Sequence, residues 1–215
     1  HYFHPYTDPK KDWNPNIPYL SSGKEGDYLT DHLTDEAIAF IKTNRDKPFF
    51  LCLTHYGVHT PLQAPQQLIK KYTKRFTGKK TGIDPAYAAM VENMDMNTGR
   101  VLDAIKAMGL KADTLFIFYS DNGGAGSATN NRPLRGDKGH LYEGGIRVPL
   151  LIKWPGRIDE NSSCNTPVIG SELFATIAEV AKQTPQDTID GLSLRNSWSG
   201  GIGLDRDTLY WYYPH

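Results

Sequence analysis

Asp121 and Asn122 stand side by side where an apolar, aromatic-rich run, Thr114 to Tyr119, stops in the string TLFIFYSDNGG. The run has strand composition, and the Asp-Asn-Gly-Gly that follows breaks it. In open α/β sheets, ligands gather at the carboxyl ends of strands. A carboxylate and an amide oxygen at such an end are hard donors of the kind Ca²⁺ or Mg²⁺ takes. An Asx-Gly step after a strand is equally a turn signal, so the residues alone leave both readings open. Lys138 follows in LRGDKGHLYEGGIRVP, flanked by glycines. A flexible ammonium there can reach an anion, or sit solvated like most lysines. A cation site beside a lysine suits an anionic oxyester. A second cluster, His55-Tyr56-Gly57-Val58-His59-Thr60-Pro61, follows another apolar run, Phe49 to Thr54. Histidine is the side chain best placed to give or take a proton near neutrality, although loop histidines also merely solvate turns.

Helices and strands must alternate to place these groups. Thr34 reads as the cap of a helix reaching about Asn44, with Asp35 and Glu36 in its first turn. Pro48 opens a buried strand, Phe49 to Thr54, so both clusters could share one rim of a sheet. The longest helix starts near Pro85, carries Tyr87, Met90, Val91, Met94, Val101, Leu102, Ile105 and Met108 at three-and-four spacing, and ends at Gly109. Strands Leu115–Tyr119 and Val148–Lys153, a helix from Leu173 to Ala181 and a last strand from Leu209 to Tyr213 complete the pattern. Such alternation argues for a layered α/β architecture.

Composition narrows the partners. Twenty-four basic residues balance twenty-four acidic ones in 215, so no overall field draws the chain to nucleic acid or anionic lipid. No apolar run approaches the roughly 20 residues of a membrane span. Cys52 and Cys164 sit in unrelated contexts and suggest no disulfide framework; both read as buried or loop thiols. Residues 1–28, rich in Pro, Tyr, His and Gly, read as an irregular segment. Its aromatics, Tyr2, Phe3, Tyr6, Trp13 and Tyr19, either anchor it to a core or stack on sugar rings. Asn161-Ser162-Ser163 is a glycosylation sequon of a kind that also arises by chance. The chain opens at His1 with no apolar leader and closes on YWYYPH, and neither end reads as a natural terminus.

SDNGG followed by LRGDKGHLYEGGIRVPLLIKWPG closely resembles the type I sulfatases, the arylsulfatase branch of the alkaline-phosphatase superfamily. PFFLCLTHYGVHTPLQAP, YAAMVENMD, TPVIGSELFATIAEVA and DGLSL agree in order, and YLTDHLTDEAIAFI and TLYWYYPH are similar to stretches of bacterial members. The resemblance implies an α/β layered sandwich with a central mixed sheet flanked by helices, present here in part. Residues 1–215 would be the carboxyl-side part of a single catalytic domain, with 206–215 the start of a truncated C-terminal region.

Carried over by residue, the resemblance implies that Asp121 and Asn122 ligate a divalent cation, usually Ca²⁺, and that Lys138 contacts the substrate sulfate. His59 matches the histidine that contacts sulfate or ester oxygen and helps protonate the leaving group. His55 and His140 are candidate pocket-lining residues; His32 reads as structural and Asp95 as structural or solvated. The Cys- or Ser-x-Pro-x-Arg signature that yields the formylglycine nucleophile is absent, as are the paired aspartates that complete the cation site. The family's order puts both upstream of His1, so the expectation is half a site that is inactive and poorly stable without the missing amino-terminal half. The implied activity is hydrolysis of a sulfated sugar or aryl sulfate, in a periplasmic or secreted setting. A phosphodiesterase or phosphonate hydrolase of the same superfamily, and a non-catalytic carbohydrate-binding fragment, remain as alternatives.

Overall fold

The computed structural model describes residues 1–7, 20, 23–198 and 203–213. Its backbone divides into two compact units, His1–Leu110 with Ala125–Asn130, and Lys111–Gly124 with the residues from Asn131 onward. Trp13 and Tyr19 lie outside the described residues.

The first unit is built on three helices, α1 (Leu29–Asn44), α2 (Gln66–Phe76) and α3 (Pro85–Ala107), with α1 and α2 both packed on α3. Helix α3 forms as its sequence signals dictate. Asp84 accepts hydrogen bonds from the Ala86 and Tyr87 amides at 2.7 and 3.3 Å, and Pro85 occupies the first turn. At the other end Gly109 takes a φ of +75°. Its amide donates to Lys106 O and that of Leu110 to Ile105 O, the paired bonds of a Schellman stop.

Helix α1 begins six residues earlier than a cap at Thr34 would set it, with Tyr28 in the cap position. Thr34 is fully buried, and its hydroxyl donates to Thr30 O at 2.8 Å, so it packs inside the helix rather than capping it. Asp31 joins α1 to α3: its Oδ1 accepts from Asn93 Nδ2 at 2.9 Å and Asn97 Nδ2 at 2.6 Å. Arg100 pairs with Asp35 beside them. His32 is structural as read, with Nδ1 against the Tyr6 hydroxyl at 2.8 Å; Asp95 is exposed.

Tyr2, Tyr6, Tyr28, Leu29, Ala89 and Met90 form the core, and Leu68, Ile69 and Tyr72 of α2 pack against it. Tyr2, Phe3 and Tyr6 are therefore anchors of the opening segment, which a Phe3–Tyr28 bridge holds in place.

The second unit holds strands β1 (Phe116–Tyr119) and β2 (Leu150–Lys153), paired antiparallel with Phe116 opposite Lys153 and Tyr119 opposite Leu150. A one-turn helix α4 (Glu143–Ile146) precedes β2, and α5 (Ser171–Val180) follows it. Two expected strands are not strands. Phe49–Thr54 and Leu209–Tyr213 form no ladder among the described residues. A strand exists only by pairing its amides and carbonyls with a neighbour, and neither segment has one here. Phe50 is consequently 66% exposed and the Cys52 thiol is exposed rather than buried. No helix of the described residues is long and apolar enough to cross a membrane.

Candidate functional site

The Asp121-Asn122 loop emerges directly from β1. The Ser120 amide donates to Pro149 O at 3.3 Å, prolonging the ladder by one residue before the chain turns. Asp121 is exposed and has no cationic partner among the described residues. Burial first, and then the Asp121 charge, hold the Tyr119 phenol neutral to higher pH. Asn122 donates through Nδ2 to Gly123 O at 3.0 Å, which uses its amide nitrogen and leaves the oxygen for a cation.

Three glycines bring this loop against the lysine loop by backbone contact alone. A Cβ on Gly123 would lie 1.8 Å from Gly144 O, one on Gly144 2.1 Å from Gly136 O, and one on Gly145 2.0 Å from His140 O. In that space the Gly123 amide donates to Gly145 O at 3.0 Å and the Gly144 amide to Arg135 O at 2.7 Å. The glycines of SDNGG, LRG and EGG thus interlock. Gly123→Ala should push apart two backbones that cannot yield by rotating a side chain. The expected cost is about 1–3 kcal/mol or more, read as a lowered thermal midpoint; an unchanged midpoint would contradict the packing.

Lys138 is fixed by its own backbone, whose amide donates to Gly124 O at 3.2 Å, while its side chain is exposed. Among the described residues no carboxylate pairs with its ammonium. The adjacent Asp137 is instead engaged by His140, Oδ1 to Nδ1, at 2.7 Å. That pairing leaves Lys138 available to an external anion. Arg135 lies with its guanidinium carbon 3.8 Å from the centre of the Tyr142 ring, bracing the loop from outside.

His55 and His59 share one loop of the first unit, pinned by buried tyrosines. The Tyr2 hydroxyl faces Tyr56 O at 2.5 Å and His59 O at 3.0 Å, and the Tyr28 hydroxyl donates to Gln63 O at 2.8 Å. Burial pushes the Tyr2 phenol up to about 12, so it stays a donor at any physiological pH. The His59 ring is exposed, with Nδ1 3.1 Å from Thr60 O. The Thr60 hydroxyl also lies 3.3 Å from Nδ1, so both local contacts fall on that nitrogen and Nε2 is the ring nitrogen left for a substrate.

His55 is half-buried, and its Nδ1 has no hydrogen-bond partner among the described residues. Burial lowers its pKa below the usual 6.5. Protonation then favours the unfolded chain, so this contribution is complete above about pH 6.5 and is lost as pH falls toward the depressed folded value. Thermal midpoints measured from pH 7 to pH 5 should fall, and less steeply in His55→Gln; parallel curves would remove His55 from this role.

Asp121 and Asn122 would supply two hard oxygen donors, and their chemistry fits Ca²⁺ or Mg²⁺. Among the described residues no group of three or more His, Cys, Asp or Glu side chains could hold a metal.

With this geometry in hand, the family model described as Sulfatase matches residues 1–183. The chain belongs to the sulfatase family. A sulfatase of Formosa agariphila is 36% identical over 218 residues, an alignment covering 94% of this chain and 39% of that protein. Mouse steryl-sulfatase is 36% identical over 196 residues, covering 86% and 30%. The solved structure of Ps i-CgsB in complex with k-i-k-neocarrahexaose superposes with a TM-score of 0.72 at 34% identity, covering 82% of this chain and 40% of that one. This sulfatase chain therefore spans 30 to 40% of the length of these three relatives, and the layered α/β reading agrees with a sulfatase fold represented in part.

Sequence reasoning missed the residues that hold the site together. Gly144 and Gly145 carry no side-chain chemistry to draw notice, yet they seat two other loops. Asn131 went unremarked, yet it hydrogen-bonds both Gly124 and Gly136. The available signal was density: seven glycines and an Asn pair within the span from Gly123 to Gly145.

Proposed function

We propose that this chain is the carboxyl-side wall of a sulfuric ester hydrolase acting on a sulfated sugar or aryl sulfate. The observation that carries the reading is the glycine-locked pairing of the Asp121-Asn122 loop with an exposed Lys138 that no carboxylate neutralises among the described residues. Asp121 and Asn122 would hold a divalent cation, Ca²⁺ by family resemblance. Bound there, the cation supplies positive charge toward the sulfuryl oxygens. Lys138 adds a second positive charge to the same oxygens. By the same resemblance, His59 would give a proton to the bridging oxygen as the sulfuryl group passes from that oxygen to the nucleophile, so the product leaves as an alcohol. By family resemblance alone, His55 and His140 are candidates for setting substrate preference.

The formylglycine nucleophile and the remaining cation ligands are expected from sequence outside this chain. A carbohydrate substrate is supported by the 34%-identical neighbour solved with a neocarrahexaose. A periplasmic or secreted setting follows the same family resemblance. Assaying the intact protein in parallel on a sulfate ester, a phosphate diester and a phosphonate monoester tests the reading. The sulfate ester should give the highest kcat/KM; a preference for either phosphorus substrate would overturn it.

A further inference from the structure

We infer that Asn131 is a positioning residue that sets the spacing between the cation ligands and the sulfate-contacting lysine. The inference rests on the reading of Asp121, Asn122 and Lys138 given above. Asn131 pairs with both backbone groups of Gly124: its Oδ1 accepts from the Gly124 amide at 3.0 Å, and its Nδ2 donates to Gly124 O at 2.9 Å. The same Nδ2 reaches Gly136 O at 3.4 Å. Gly124 lies two residues after Asn122 and Gly136 two residues before Lys138, so one half-buried side chain references both loops. Gly124 O also receives the Lys138 amide at 3.2 Å, which makes it the shared point of the arrangement.

The chemistry asks for asparagine. The position needs one acceptor and two donor hydrogens on a short, planar group. Asp keeps the acceptor and the shape but has no donor, and would set a carboxylate against two carbonyls. Ala keeps neither. The glycine interlock fixes how close the loops come, and the Asn131 side chain adds bonds to Gly124 and Gly136 that fix the register of one loop along the other.

The test compares Asn131→Ala and Asn131→Asp with wild type in the intact protein, by calorimetric Ca²⁺ titration and by kinetics on a sulfate ester. Residues that orient metal ligands typically contribute 10–100-fold in affinity or activity. Both variants should therefore weaken Ca²⁺ binding about tenfold or more and lower kcat/KM by about the same factor or more. In a Lys138→Ala background at saturating Ca²⁺, Asn131→Ala should add far less to the loss of kcat/KM than its separate factor, because the cation deficit is then made up and the remaining effect passes through that lysine. Thermal midpoints should stay within a few degrees of wild type. Wild-type Ca²⁺ affinity in both variants, beside an Asp121→Ala that abolishes binding, would overturn the inference alone. Failure of both variants to fold would also overturn it, making Asn131 a general packing residue. Wild-type Ca²⁺ affinity in Asp121→Ala would overturn the underlying reading and the inference together.

Discussion

Lys138→Ala in the intact protein is expected to lower kcat/KM for a sulfate ester by about 10²–10³, the usual loss when one preorganised charge at a developing oxyanion is removed. The loss should fall mainly on kcat, since the charge on the sulfuryl oxygens is stabilised most in the transition state. The fold should survive, because the side chain is exposed and what locates the residue is its amide bond to Gly124 O. Lys138→Arg should recover little: a planar guanidinium on a longer stem does not substitute for a compact ammonium held at one distance. Steady-state kinetics on the two variants checks both statements. A loss below about fivefold in Lys138→Ala would take the residue out of the chemistry.

Arg206→Ala should produce the largest loss of stability, and it should do so without touching the cation site. Glu172 on α5 is buried, with its carboxylate bonded by Arg206 through Nε and Nη2 at 2.7 Å and by the Ile169 amide at 2.9 Å. Arg206 Nη2 also reaches Pro167 O at 2.6 Å, tying the segment after residue 203 back onto α5. Thr176, equally buried on the same helix, accepts from the Leu194 amide at 2.8 Å. Removing Arg206 strands a buried carboxylate with one remaining donor, and breaking such a pair typically costs about 3–5 kcal/mol. For a chain of this size that is a fall of roughly 10 °C in thermal midpoint. Glu172→Gln with Arg206→Ala should be milder than Arg206→Ala alone, because no charge is then left buried. Equal midpoints for wild type and Arg206→Ala would show the pair to be incidental.

What the chain displayed in one dimension was local chemistry. The stop of β1 at Ser120, the Asp84-Pro85 start and Gly109 end of α3, and the span of α5 all rest on signals within a few residues of each element. What it hid was set at a distance. Thr34 has the composition of a cap, yet it lies buried within α1 with its hydroxyl on Thr30 O. Helix α2 passed unseen because its cap, Pro65, offers no side-chain hydrogen bond and much of its surface is Gln and Lys. Its Leu68, Ile69, Tyr72 and Phe76 nonetheless keep helical spacing. Phe49–Thr54 has every mark of a buried strand and lacks only a partner. In the site, Asp121, Asn122 and Lys138 were legible as chemistry; the glycine interlock and Asn131 were not, because each depends on segments 5 to 22 residues apart meeting in space.

The most direct test of the whole account is sulfate release by the intact protein after removal of divalent cations. Release from a sulfate ester, followed by ion chromatography, should vanish on chelation, return with added Ca²⁺, and fail to return in Asp121→Ala. Undiminished release by the chelated protein or by Asp121→Ala would contradict it.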